Sequence, residues 1–255
     1  MKNFKKLYFL FMILILLISC SESKKGVNCI VLLDYSASLP NEEFDKYVDM
    51  FRSGLLKQMT FNDRIVLIPI DKASEMRNEI IGECRFDELK NQLSQNIQPF
   101  QVLSEADTVL ARFHRTLDTL FQRDIYYFRD QRKSYNLETD IIGALNQAAS
   151  YLNHSKTAIF IFSDMIQESP EVNLKRLKDK TSLDKKLNYL VKTAQIPDLK
   201  NASIFVCGAT EASKQNYRLN KYFWTIFFEK ANSTLQDYGY GNSDRIANFL
   251  IKLRN

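Results

Sequence analysis

Asp34-Tyr35-Ser36-Ala37-Ser38 sets one carboxylate and two hydroxyls at alternate positions of a five-residue segment. All three groups are oxygen donors, the ligand type that hard cations take. Mg²⁺ in particular keeps an octahedral shell in which several positions stay with water. The same segment offers little for covalent chemistry. In phosphotransfer sites that begin this way a second Asp stands two residues on, and here that position is Ser36. The two histidines, His114 and His154, are isolated from any nucleophile and orienting acid, and neither a Gly-rich phosphate loop nor a GxSxG turn occurs.

The context of the segment matters as much as its residues. Val27 to Leu33 (VNCIVLL) is a short apolar run rich in β-branched residues, which predicts a strand buried on both faces. Phe44, Tyr47, Val48, Phe51, Leu55 and Met59 then recur at helical spacing. The oxygen donors therefore sit on a strand-to-helix turn. Further strands are predicted at Arg64 to Ile70, Lys156 to Ser163 and Ala202 to Gly208, with a short edge strand within Glu79 to Phe86. Helices are predicted over Ser104 to Phe128, Asp140 to Leu152, Val172 to Lys192, Leu219 to Ala231 and Asp244 to Leu253. The face of the Ser104 helix is Leu110, Phe113, Leu117, Leu120, Phe121 and Phe128. The cluster Tyr222, Phe223, Trp224, Phe227 and Phe228 reads as the core face of its helix.

Buried strands alternating with amphipathic helices imply an α/β fold, a doubly wound and mostly parallel sheet with helices on both faces. Ligands in such folds bind outside the carboxyl ends of the strands. The loops after Leu33, Ile70, Ser163 and Gly208, and the one leading into the Asp140 helix, are thus the places for a site.

The first residues carry a different signal. MKNFKK is basic, and Leu7 to Ile18 is an apolar run of twelve residues. That is short of the roughly 20 residues a spanning helix needs, and it suits the core of a signal peptide. It ends in Leu17-Ile18-Ser19-Cys20, which resembles the bacterial lipobox. The resemblance implies that residues 1–19 are removed, that Cys20 is lipidated, and that residues 20–26 are a tether to one domain over 27–255. The chain then lies outside the cytoplasm, lipid-anchored in the cell envelope, with Ser21 leaning the choice towards an outer membrane. Without Lys2, Lys5 and Lys6 the balance is 32 basic to 30 acidic residues, a net +2, which is no footprint for nucleic acid. Cys29, Cys84 and Cys207 are odd in number and cannot all pair; Cys29 and Cys207 fall in apolar runs and read as buried thiols.

With strand and turn together, VLLDYSASLP resembles the opening of the von Willebrand factor A family, where it begins a metal-ion-dependent adhesion site. The family adds a Thr from a loop before a central helix and an Asp after the next central strand. Thr139 in LETDIIGAL and Asp164 in IFIFSDM stand in that order. The resemblance implies that Ser36, Ser38 and Thr139 offer hydroxyls to Mg²⁺ or Mn²⁺, with Asp34 and Asp164 beside it directly or through water. The chain departs from the family in the added Ser104–Phe128 helix and in having no Gly immediately before Thr139.

A cation held largely by neutral oxygens keeps uncompensated charge, and an exchangeable water on it can give way to a Glu or Asp of a partner protein. The implied function is non-enzymatic, metal-dependent protein binding. Tyr35, Leu39, Asp71, Met165, Ile166 and Ala209 are the expected rim. Two other readings stay open: a metal-dependent hydrolase or phosphotransferase, and a structural subunit of an envelope complex with an unused metal site. Lys175, Arg176, Lys178, Lys180, Lys185 and Lys186 form a basic cluster that reads chiefly as a solvated helix face.

Overall fold

A computed structural model of the chain describes residues 26–60, 62–72, 80–85, 106–132, 138–152, 156–209 and 214–254. The lipobox with Cys20, the Ser104 start of its predicted helix, and His154 lie outside the described residues. Among the described residues no helix is long and apolar enough to cross a membrane.

The strands are β1 (Asn28–Asp34), β2 (Arg64–Ile70), β3 (Gly82–Arg85), β4 (Thr157–Phe162), β5 (Ser203–Val206) and β6 (Thr234–Tyr238). They form one sheet in the order β3-β2-β1-β4-β5-β6. All neighbours are parallel except β2 and β3, so β3 is an antiparallel edge. The predicted doubly wound α/β fold is therefore what the chain adopts. The strand order reverses between β1 and β4, which pair directly from Asn28↔Thr157 to Leu33↔Phe162. That reversal opens a crevice at the carboxyl ends of these two strands.

The helices are α1 (Asn41–Met50), α2 (Ala106–Arg132), α3 (Ile141–Ala149), α4 (Lys180–Lys192), α5 (Lys214–Lys230) and α6 (Ser243–Arg254). Alternation along β1 sorts them onto two faces. Ile30 and Leu32 point into a core shared with α3, α4 and the Phe223, Trp224, Phe227 and Phe228 side chains of α5. Cys29, Val31, Leu33 and Tyr35 point into the other, shared with α1, α2 and α6. Leu117, Phe121 and Ile125 bury the face of α2 and Phe128 is half-buried; the side chains of Leu110, Phe113 and Leu120 are not described. The predicted α1 stripe is buried throughout, although the helix passes into a π turn at Phe51–Leu55 and a 3₁₀ turn at Leu56–Gln58.

Two expectations need correction. Val172 to Lys192 is not one helix: Glu168 and Asn173 form a bridge, Leu174–Arg176 is a 3₁₀ turn, and α4 begins at Lys180, where Asp179 caps Ser182 N at 2.9 Å. Thr234–Tyr238 was not foreseen as a strand. Its burial alternates on a polar background, as an edge strand's does, and hydropathy does not pick it out.

The amino-end pole of the sheet is closed by Asp63. Its Oδ1 accepts from Val27 N at 2.8 Å, and its Oδ2 from Thr60 N and Arg254 Nη2, each at 2.6 Å. Gly26 passes so close that a Cβ would meet the Asn62 carbonyl oxygen at 1.5 Å, which excludes any side chain there.

Candidate metal cleft

The carboxyl end of β1 carries Asp34 into the crevice, and the turn that follows folds Ser36 and Ser38 back beside it. Asp34 is 2% exposed. Its Oδ1 accepts from Ser36 N at 2.8 Å and its Oδ2 from the Ser163 hydroxyl at 2.8 Å. The Ser36 and Ser38 hydroxyl oxygens lie 3.3 Å apart. From β4, the next strand over, Asp164 enters the same cleft, its Oδ1 accepting from Ile166 N at 2.9 Å. Asp34, Ser36, Ser38 and Asp164, with Glu43 and Tyr47 of α1, line a cleft of about 230 Å³.

The turn after Asp164 is held under backbone strain. Met165 adopts φ 64°, a left-handed conformation that costs a non-glycine residue about 1–2 kcal/mol. Three contacts fix it: Met165 N donates to Ser163 Oγ at 3.1 Å, Trp224 Nε1 donates to Met165 O at 2.9 Å, and the side chain is fully buried. Gly208 closes the floor. A Cβ there would come within 2.4 Å of the Tyr47 hydroxyl, which donates instead to the Gly208 carbonyl at 3.3 Å.

Thr139 stands apart from this cleft lining. It is 3% exposed and precedes Asp140, the cap of α3, whose side chain accepts from Gly143 N. Its loop is nonetheless joined to the one after β4. Glu168 N donates to Thr139 O at 2.8 Å, and Gln167, fully buried, accepts from Ile141 N and Ile142 N and donates to Asp140 Oδ1. Asp140 N further binds Asp71 O at the end of β2.

Electrostatics reinforce the geometry. Burial pushes the Asp34 carboxyl above the usual carboxylate range, against the Ser36 and Ser163 hydrogen bonds. Burial first, and then the charge of Asp34, raise Asp164 to about 6. Burial raises Tyr47 as well, aided by both acids. Two like-charged acids share one desolvated cleft, and in the same cleft Glu43 Oε1 is buried without a hydrogen-bond partner. Among the described residues no group of three or more His, Cys, Asp and Glu side chains is placed to hold a metal by those ligands alone. The donor set is instead carboxylate plus hydroxyl, all oxygen, and that chemistry fits a hard divalent cation better than Zn²⁺ with its N and S ligands.

The expected rim fares less well. Tyr35, Leu39, Asp71, Met165 and Ala209 are all buried, and of the six only Ile166 is partly exposed. Tyr35 turns away from the cleft into the core, its hydroxyl donating to Ile125 O at 3.3 Å. The residues that flank Asp34 were also not foreseen. Ser163, Glu43 and Tyr47 carry no motif: Ser163 is placed by strand pairing, and the other two by the first turns of α1. The basic cluster lies on the surface, with Lys175 paired to Glu168 at 2.6 Å and Lys180 over the Tyr222 ring at 4.7 Å. Compared with known proteins, the chain matches no protein-family model and no curated protein.

Proposed function

We propose that this is a lipid-anchored cell-envelope protein with a von Willebrand factor A-like domain, which binds a partner protein through a divalent cation. The cation, Mg²⁺ or Mn²⁺, is held by Asp34, Ser36, Ser38, Thr139 and Asp164. The observation that carries this reading is the convergence of Asp34, Ser36, Ser38 and Asp164 on one cleft at the strand-order reversal. Bound there, the cation supplies a Lewis-acidic site for a carboxylate of the partner. The chain's own residues do the rest. Ser163 and Ser36 N orient Asp34, Trp224 and Ser163 hold the turn at Met165, and Gln167 fixes the loop that carries Thr139. The anchor is proposed on Leu17-Ile18-Ser19-Cys20.

The test uses the full chain as bait in detergent-solubilised envelope. A partner retained with Mg²⁺, lost with chelator, and lost again in Ser38→Ala and Thr139→Ala is the expected result. A partner held equally in all four conditions refutes the metal role. Intact-mass analysis of the purified protein tests the anchor separately, since residues 1–19 still present without acyl mass would exclude it.

A further inference from the structure

Arg129, near the carboxyl end of α2, is a buried cation with no directly paired carboxylate among the described residues. It is 7% exposed. Its guanidinium lies over the Phe44 ring, 4.2 Å from the centroid. Nη2 donates to Leu39 O at 2.8 Å and, more weakly, to Asn41 Oδ1 at 3.5 Å, while Nε is buried with no partner. Among the described residues no carboxylate forms an ion pair with it. Desolvating a charge without pairing it is costly, so folds that retain one usually place it where a ligand supplies the opposite charge.

The guanidinium faces a cleft of about 330 Å³, lined also by Tyr35, Ser36, Ala37, Leu39 and Asn41. This cleft is the neighbour of the one that holds Asp34 and Asp164, and the two share Ser36 and Leu39. We infer that the Arg129 cleft is a carboxylate subsite, which takes a second acidic side chain of the partner whose first one meets the cation. The acidic partner rests on the function proposed above; the cleft and its unpaired cation do not.

Charge selects the ligand class. A carboxylate neutralises the single positive charge of Arg129 and matches the planar fork of a guanidinium. A phosphate dianion leaves excess negative charge next to the adjoining cleft, which Asp34 and Asp164 line. The subsite also gives α2 a role, because the helix that sets this chain apart from the family it resembles is the one that delivers Arg129.

The test is a titration of the full chain in detergent, labelled with ¹⁵N-arginine, with the Arg129 Nε–H resonance assigned by its loss in Arg129→Lys. A blocked Glu-Glu-Glu peptide shifts that resonance saturably, and a blocked Gln-Gln-Gln peptide leaves it in place. In Arg129→Lys, which keeps the charge and loses the fork, peptide affinity measured by calorimetry falls about tenfold or more, as hydrogen bonds to charged groups imply. Should that variant not fold, the wild-type titration decides alone. No shift, an equal shift with Gln-Gln-Gln, or a stronger response to inorganic phosphate at matched ionic strength overturns the inference. Acetate binding as tightly as Glu-Glu-Glu overturns the peptide assignment. Mg²⁺ separates the two readings. If, in a second, uniformly ¹⁵N-labelled sample, it fails to move the Ser36 and Ser38 amides while Glu-Glu-Glu still moves Arg129, the cation reading fails and the subsite stands; the reverse result removes the subsite alone.

Discussion

The Ser163 hydroxyl donates to Asp34 Oδ2 at 2.8 Å, joining the residue that follows β4 to the last residue of β1. Ser36 N takes the other carboxylate oxygen, so the side chain is oriented by protein groups on both sides. Ser163→Ala leaves Oδ2 buried without that donor and lowers stability by about 1–3 kcal/mol. Urea denaturation reads the loss directly. A midpoint equal to wild type means the bond is not formed in solution.

Binding of a cation at the cleft stabilises the fold by mass action. Metal at about 100 times its dissociation constant adds about 2.7 kcal/mol. The thermal midpoint therefore rises with Mg²⁺ and returns with chelator, and Asp164→Ala and Thr139→Ala suppress the rise. An equal rise in wild type and both variants places the ion elsewhere.

Asp63 answers to a different part of the molecule. Its side chain is fully buried and takes Val27 N, Thr60 N and Arg254 Nη2 at once. Asp63→Ala removes the acceptor of two amides and of the partly buried Arg254 guanidinium, a loss of about 3 kcal/mol. The Mg²⁺ response of any folded fraction stays intact, because the carboxylate lies at the opposite end of the strands from the cleft. Chemical denaturation with and without Mg²⁺ checks both statements.

Asp118 accepts from both Nε and Nη2 of Arg52, and the hydrogen bond from Arg52 holds its carboxyl below the usual range. A lowered folded-state pKa gives stability that is present above the unfolded value and disappears as pH falls through the folded one. The window is thus below about pH 4. Both side chains are about a third exposed, so solvent screening limits the pair to roughly 1 kcal/mol or less. Asp118→Asn is accordingly less stable than wild type at pH 7, with the gap closing in strong acid. A gap that widens on acidification contradicts the assignment.

What was legible in the sequence follows from which signals are local. The buried strands β1, β2, β4 and β5 are mostly apolar runs, and the stripe from Phe44 to Met59 has a helical period whose residues are all buried, although the α-helix gives way to π and 3₁₀ turns after Met50. Asp34, Ser36 and Ser38 are neighbours in sequence and so in space. Ser163 and Arg129 meet the same turn only through strand pairing and helix packing, which no window of residues contains. Of the expected rim, Leu39 lines the Asp34 cleft, while the left-handed turn at Met165 and the close approach of Tyr47 to Gly208 draw Met165 and Ala209 inward. The polar edge strand β6 and the late start of α4 were set by neighbours rather than by composition.

Val27 N and the Arg254 side chain grasp the same carboxylate, and that makes the fold almost a closed loop. The first and last described stretches meet at Asp63, on the pole away from the cleft. A short bridge from the last turn of α6 back to Gly26 can therefore replace the native order with a permuted one, opened at a surface turn. For the same reason the described unit can be spliced into a host protein as a single graft, standing on a narrow stem with its Asp34 cleft turned outward.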